Sequence, residues 1–523
     1  MSRPRFWNLT SAERAVVRGL RTGRVTALGD GMLPGVEAGE DRQVRASLIR
    51  YLALGAPGSK RLRLHEHGLQ IAAALIVSDG QADPLIQVTT PGLDLQGCQL
   101  EHDLLLANCR FEHVPALRGA RIRTLSLEDS HLPGLQADGL EVLGFIFLRG
   151  VRATGELCFL RARIGGDFDC EGGRFENAGG DALNADGLEA QGNVNLRRGF
   201  EAHGEVRLLR ARIDGDLDCE GGRFKNEGGR ALSADGAWVA GAFFWREGSD
   251  AKGALGLNAT ELGHIADDPA CWPGAGDLLL NRCRYGAFTG KGISAEERIR
   301  WLDLQSPEKY GHDFWPQPWE QCAKVLREMG HVEDARKVLI AKEERQRAVA
   351  RARFRRATEG TWREMLCPLP WLRDGALWLL LAYGHRPLQA LAGLAVFWLV
   401  GFVVFSAAYD RDAFKPNNAF VLRSPEWAQC ADTGERRADH ASTLVCYLDQ
   451  PEAAGYPKFN GLLYSLDTLV PVVDLEVQDF WVPDERVAAW ARVYLWLHIA
   501  LGWFLALLAV AGFSGLIRPG SGG

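Results

Sequence analysis

Between Phe459 and Pro483 the chain reads FNGLLYSLDTLVPVVDLEVQDFWVP. Ser465, Asp467 and Thr468 set two hydroxyls and a carboxylate on one short amphipathic stretch, Phe459–Leu469. Pro471 ends a helix there, because it has no amide hydrogen to donate. A short apolar loop, Val472-Val473, leads to Asp474, with Glu476 and Asp479 beyond. Repeated around an axis, carboxylates make a ring that favours cations. Asp474, just past the Pro471-Val472-Val473 constriction, is expected to supply that ring. Asp467, near the end of the short helix, is expected to hydrogen-bond the loop instead.

Other reactive types are scattered. His498 lies inside a long apolar run, where an ionisable residue is a functional candidate or a hydrogen-bonding link between helices. His65-Glu66-His67 puts two imidazoles on one face of an expected strand but has no third ligand nearby, so no metal is assigned. There is no GxGxxG after a strand, no GxxxxGK[ST], no HExxH and no CxxC pair. No catalytic residue and no cofactor is therefore assigned.

The elements that must position this stretch are two apolar runs. Leu388–Ala408 is uncharged from Pro387 to Tyr409, and Val493–Ile517 lies between Arg492 and Arg518 with no charge. About 20 apolar residues span a bilayer, so both qualify. The order is helix, short helix, loop, helix. Tyr464-Ser465-Leu466-Asp467-Thr468 resembles the end of the pore helix in potassium-channel-like proteins: an aromatic, Ser, an aliphatic, an acid, Thr. The resemblance covers about the last quarter of the chain. It implies a two-helix pore-loop subunit, assembled as a homotetramer. The chain departs from that family after Thr468. Leu469-Val470-Pro471-Val472-Val473-Asp474 has no glycine, so a filter of backbone carbonyls is not implied.

The larger part of the chain is a repeat. LRARIGGDFDCEGGRFENAGGDALNADG (Leu160–Gly187) returns 49 residues later as Leu209–Gly236, identical at 22 of 28 positions. Inside it is a unit of 11 to 12 residues: Gly, x, apolar, x, apolar, x, x, small, x, apolar. Alternation of period two predicts short strands with one face inward, and such units bury that face only by stacking. This predicts a parallel β-helix over 61–290, and it resembles the degenerate pentapeptide-repeat class. Cys98, Cys109, Cys170, Cys219 and Cys283 fall at repeat positions and read as core fillers. Asp167, Asp169, Glu171, Asp216, Asp218 and Glu220 alternate with inward residues. A calcium site between coils is conceivable there, but a solvated outward face is preferred.

The remaining segments frame these two parts. Residues 1–60 read as a helical cap, with a Thr10/Glu13 capping box and a second helix over Asp41–Leu54. Residues 291–345 read as a helical hairpin, Trp319–Met329 and Val332–Arg345, turning at Gly330. Residues 346–387 form a basic linker and an interfacial helix, Leu372–Tyr383; Lys342–Arg356 alone carries seven basic residues and two acids. The membrane module is then a first transmembrane helix (388–409), an extracytoplasmic loop (410–458), a re-entrant segment (459–489) and a second transmembrane helix (490–518). The fold class is thus mainly β, a solenoid with a helical cap, joined to an α-helical transmembrane domain.

The N-terminus has no apolar signal core, so the first membrane helix is expected to direct insertion. Basic residues before the first helix and Arg518 after the second place both termini in the cytoplasm. Residues 410–489 then lie outside the cell (inner) membrane, with 14 acids against 7 bases. That segment holds Cys430 and Cys446, which can pair in an oxidising compartment. The net charge of −6 argues against a nucleic-acid partner. Expected partners are the lipid bilayer, further copies of the chain, and a cytoplasmic protein on the β-helix. The function expected first is an oligomeric ion-channel-like pore. A membrane-tethered β-helix scaffold is the alternative. A membrane-associated oxidoreductase comes third, without a cofactor motif.

Overall fold

The computed structural model describes residues 9–57, 59, 62, 64–78, 91–359, 371, 374–375, 388–431 and 443–513. The chain divides into two compact units, Met1–Lys342 and Glu343–Gly523.

The first unit is a parallel β-solenoid of about eight turns. Its strands are mostly two residues long, and they stack in register because one inward residue recurs at each coil. Leu104, Leu125, Ile146, Phe168, Val194, Leu217 and Phe243 form one such ladder. Ile122, Val142, Ile164, Ala190, Ile213 and Val239 form another. All of these are buried. Aromatic rings continue the core: Phe175, Phe200, Phe224 and Trp245 follow one another with centroids 5.2, 5.5 and 5.5 Å apart. Cys98, Cys109, Cys170, Cys219 and Cys283 lie in the same core. At the corners backbone meets backbone. A Cβ on Gly155, which opens one repeat, would sit 2.4 Å from the Pro133 carbonyl oxygen, so only glycine fits there.

The outward acids are not a solvated face. Asp169 and Asp218 are buried, at 2% and 6% exposure. Arg149 Nε lies 2.7 Å from Asp169 and Arg197 Nη1 2.7 Å from Asp218. Asp167, Asn193 and Asp216 each accept the backbone amide of the next coil: Asn193 at 2.7 Å, Asp216 at 2.8 Å and Ala242 at 2.7 Å. A coil rises only about 4.8 Å, so a short acceptor at a corner reaches the amide left free one coil on. These oxygens serve the stack.

Both ends of the solenoid are covered, as open strand edges require. At the start, Thr10 and Glu13 form the capping box of the helix Ser11–Gly19. Helix was expected over Asp41–Leu54. Instead Gln43–Arg45 is a strand paired with Leu75–Val77, and the helix is Ala46–Ala53. The fully buried Val44 fills a ladder position beside Ile76, so tertiary pairing overrides helical propensity there. Glu13, with no exposure, holds Arg45 across this junction at 2.7 and 2.8 Å. At the far end come the helices Ala295–Leu302, Pro316–Glu328 and Val332–Thr358. Gln317 and Gln321 donate to the carbonyls of Cys283 and Tyr285, at 3.0 and 2.7 Å, and so occupy the last edge. Beneath them Arg298 and Asp267 form a two-pronged ion pair at 2.8 and 2.7 Å.

The helix that starts at Val332 runs on to Thr358, through the basic stretch read as a linker. In the second unit Arg347 and Arg351 of this helix reach Asp374 at 3.0 and 2.6 Å. The expected interfacial helix Leu372–Tyr383 lies almost wholly outside the described residues. Two further helices, Leu388–Tyr409 and Glu485–Phe513, are long and apolar enough to cross a membrane. The second begins at Glu485, ahead of the expected 490, and its start is broken at Ala488, where φ is −148° and ψ 79°.

Candidate functional site

The site is built where the short helix Gly461–Leu469 packs between the two apolar helices. Asn460 starts it, its side chain accepting the amides of Leu462 and Leu463 at 3.0 and 3.2 Å. An aromatic cluster joins the helix to both neighbours. Tyr464 lies 4.9 Å from Phe405 and 5.3 Å from Phe414, and Phe405 lies 5.3 Å from Tyr494. Phe459 stacks on Tyr409 at 4.4 Å.

Polar bonds then fix the register. Trp398 Nε1 donates to the Leu462 carbonyl at 2.9 Å, and Ser465 Oγ donates to the Trp398 carbonyl at 2.8 Å. The imidazole Nε2 of His498 lies 3.3 Å from both Ser465 Oγ and the Ser465 carbonyl oxygen. Tyr494 OH lies 3.5 Å from His498 Nδ1. His498 thus links the second apolar helix to the short one, and Ser465 links the short one to the first. Two glycines make the contact possible. A Cβ on Gly401 would come within 2.2 Å of Ser465 Oγ and 2.5 Å of the His498 ring. On Gly502 it would stand 1.7 Å from the Leu469 carbonyl oxygen.

The residues after the short helix take separate places. Thr468 donates back to the Tyr464 carbonyl at 2.7 Å. Asp467, buried at 4% exposure, accepts the amides of Leu475 and Gln478 at 2.7 and 2.9 Å. The helix stops at Val470, just before Pro471, and Val473 turns back to donate to the Val470 carbonyl at 3.0 Å. Pro471 and Val473 are half-buried and Val472 is 90% exposed. Asp474 is exposed and, among the described residues, accepts only the local Glu476 amide, at 3.1 Å. Ser465, Thr468 and Asp467 are therefore spent inside the fold, while Val472 and Asp474 project from it.

The loop is tied down beyond the site. Phe414–Pro416 and Trp481–Pro483 form an antiparallel pair, Lys415 meets Asp484 at 3.2 Å, and Trp481 Nε1 donates to the Pro457 carbonyl at 3.1 Å. Cys430 and Cys446 are joined in a disulfide, with Cα atoms 5.8 Å apart. The roles of Trp398, Tyr494 and Gly401 are absent from the sequence reading, whereas Gly502, with Gly512 and Gly515, reads there as a site of close packing or a bend. The aromatic and glycine spacing across the apolar runs was the only signal that pointed to them.

His65-Glu66-His67 lies in a turn and not on a strand. The rings of His65 and His67 meet edge to face at 4.7 Å, and the ligand atoms of the three residues lie within 4.8 Å of one another. The backbone amide of His67 donates to His65 Nδ1 at 3.2 Å, so that nitrogen is already used.

No family model, curated protein or solved structure matches the chain. The fold itself defines the class: a parallel β-solenoid joined in one chain to a unit with two helices long and apolar enough to cross a membrane.

Proposed function

We propose that this protein is an integral membrane protein whose last 136 residues, 388–523, form one subunit of an oligomeric, cation-preferring pore, with the solenoid as its cytoplasmic domain. One observation carries the reading. The short helix Gly461–Leu469 is wedged between the two apolar helices, and the loop that follows it is held from inside by Asp467 and projects Val472 and Asp474. A helix pair that served only as an anchor has no need of a buried carboxylate to shape a loop. In the pore reading four copies bring Asp474 around an axis, and Val472 of each copy narrows the entrance. The apolar side chains exposed on the two long helices, among them Val396, Val403, Trp496, Leu497 and Leu507, then face lipid or a neighbouring copy.

Ion flux tests it. The purified full chain is reconstituted in liposomes, and cation flux is followed under a salt gradient while the number of copies per particle is measured. Flux from a multimer supports the pore. A well-folded protein that carries no ion under any gradient, or that stays monomeric, overturns it in favour of the membrane-tethered scaffold.

A further inference from the structure

The outward faces of the solenoid follow a charge rule. Arg121, Glu141, Arg163, Glu189 and Arg212 stand opposite one another on successive coils, with alternating sign. Arg163 reaches both neighbours, Glu141 at 3.2 Å and Glu189 at 3.5 Å. A trough of about 540 Å³ runs over this ladder, lined by the acids Glu141, Glu189 and Asp214 and by Arg163 and Arg212. On the second sheet Arg174, Glu201, Arg223 and Asp250 alternate in the same way. Opposite charges across a ladder stabilise it and like charges weaken it, so alternation is what stability alone favours.

The rule is broken in several places: Asp181 faces Glu205, and His203, Lys225 and Lys252 are consecutive partners, with Lys252 3.6 Å from Asp250. A longer break lies elsewhere on the second sheet. Arg110, His131, Arg152 and Arg174 are consecutive partners on the second sheet, with no acid between them. Arg174 is neutralised by Glu176 at 2.6 Å. Arg110 donates its Nε to the Pro34 carbonyl at 2.8 Å, which positions the guanidinium without neutralising it. Among the described residues, Arg152 is exposed and makes no hydrogen bond or ion pair through its guanidinium. Between them His131 has a buried Nδ1 with no partner among the described residues. Of the acids at either end, Glu176 pairs with Arg174 and also acts on His131, and Glu112 accepts the Ser78 amide at 3.0 Å.

We propose that Arg110, His131 and Arg152 form a binding site for a phosphate-rich anion on the solenoid face. The two arginines stand two coils apart, about 10 Å. A chain of phosphates lying along the stack meets one donor group per coil, and each guanidinium offers a planar fork of donors that matches phosphate oxygens. With Nδ1 buried, Nε2 of His131 is the ring nitrogen left to supply the middle donor. Burial together with the flanking Arg110 and Arg152 holds its imidazole below its ordinary pKa, and an anion laid across the three relieves that repulsion. The site rests on the solenoid alone and does not depend on the pore reading.

The test uses the full chain in nanodiscs of neutral lipid. Binding of tripolyphosphate is measured by calorimetry, and in parallel the binding of neutral vesicles with and without a phosphorylated inositol lipid. Arg152→Gln is expected to weaken binding at least about tenfold, as loss of a charge-assisted hydrogen bond does. Arg163→Gln, which removes the same charge from an alternating ladder, is expected to change it less than about twofold. Binding of tripolyphosphate alone identifies a free phosphate ligand, and binding of the phosphorylated vesicles alone a lipid headgroup; either supports the site. Binding of neither overturns it, as does equal weakening by the two substitutions.

Discussion

Asp467 Oδ1 lies 2.7 Å from the amide nitrogen of Leu475, while its other oxygen accepts Gln478 at 2.9 Å. One buried carboxylate therefore closes the loop that carries Asp474, which accepts the Glu476 amide of its own turn. The two acids divide the work, one shaping the loop and one projecting from it. Asp467→Asn replaces one acceptor oxygen by an NH2 group facing an amide hydrogen. A loss of about 1–3 kcal/mol is expected, the cost of a buried donor left unpaired, with looser packing of residues 470–480 in limited proteolysis. Asp474→Asn is expected to leave the fold and the oligomer intact and to reduce cation preference in a reversal-potential measurement. Unchanged selectivity in a conducting Asp474→Asn protein removes the carboxylate ring.

Gly502 is expected to tolerate no side chain. Its Cβ would stand 1.7 Å from a backbone oxygen, so Gly502→Ala must push the short helix away from the second apolar helix. Overpacking of this kind costs about 1–3 kcal/mol. Gly455→Ala, with open space at the same distance, is the control. Thermal unfolding in detergent should separate the two clearly; equal behaviour would show that the helices are not in this contact.

At the end of the solenoid, Arg298 has no exposure and Asp267 is 2% exposed. The guanidinium also lies 3.7 Å from the centre of the Phe288 ring. Arg298→Met leaves Asp267 charged and buried with only Trp272 Nε1 to bond, at 2.8 Å. Breaking such a pair costs about 3–5 kcal/mol. Removing both charges, Arg298→Met with Asp267→Leu, is expected to recover much of that loss. Chemical denaturation of the single and double variants is the measurement.

Glu13 makes the N-terminal cap acid-sensitive. Burial alone would raise its carboxyl, but hydrogen bonds from Arg45 and from the backbone amides of Thr10 and Arg45 outweigh it and hold the group below 4.5. A carboxyl lowered in the folded state adds stability above its unfolded value and loses it as pH falls through the folded one. Below about pH 4.5 the wild type should therefore lose stability more steeply than Glu13→Gln. At neutral pH that variant should be weaker by about 1–3 kcal/mol. Unfolding curves from pH 7 to pH 3 decide it; parallel slopes would mean that the pair contributes nothing.

Thiol chemistry reads both burial and sidedness. Cys170 and Cys219 have no exposure, and burial pushes both thiols far up, so they should label only on unfolding. Cys430 and Cys446 should resist labelling until reduced, and then react with a membrane-impermeant reagent in intact cells, Cys430 faster because Cys446 is 9% exposed. Labelling of these two only after the membranes are opened would invert the topology.

The sequence alone determined the direction in which side chains point. Period-two alternation with a glycine at each corner is local, so the inward positions of Cys170, Cys219 and Phe168 are legible without a structure, as are the two apolar helices and the stop at Pro471. It did not determine which residue meets which. Coil length varies, 22 residues from Val142 to Ile164 and 26 from Ile164 to Ala190, so stacking partners follow no fixed spacing. Only the tertiary structure set Asp169 under Arg149, turned an expected solvated face into a ladder of bonds, and made Gln43–Arg45 a strand. The same holds for Ser465 and His498, 33 residues apart, which meet because two glycines let three helix backbones approach. Hydrogen bonds and ion pairs are short-ranged, and side chains far apart in the chain come within that range only once the coils have stacked and the helices have packed.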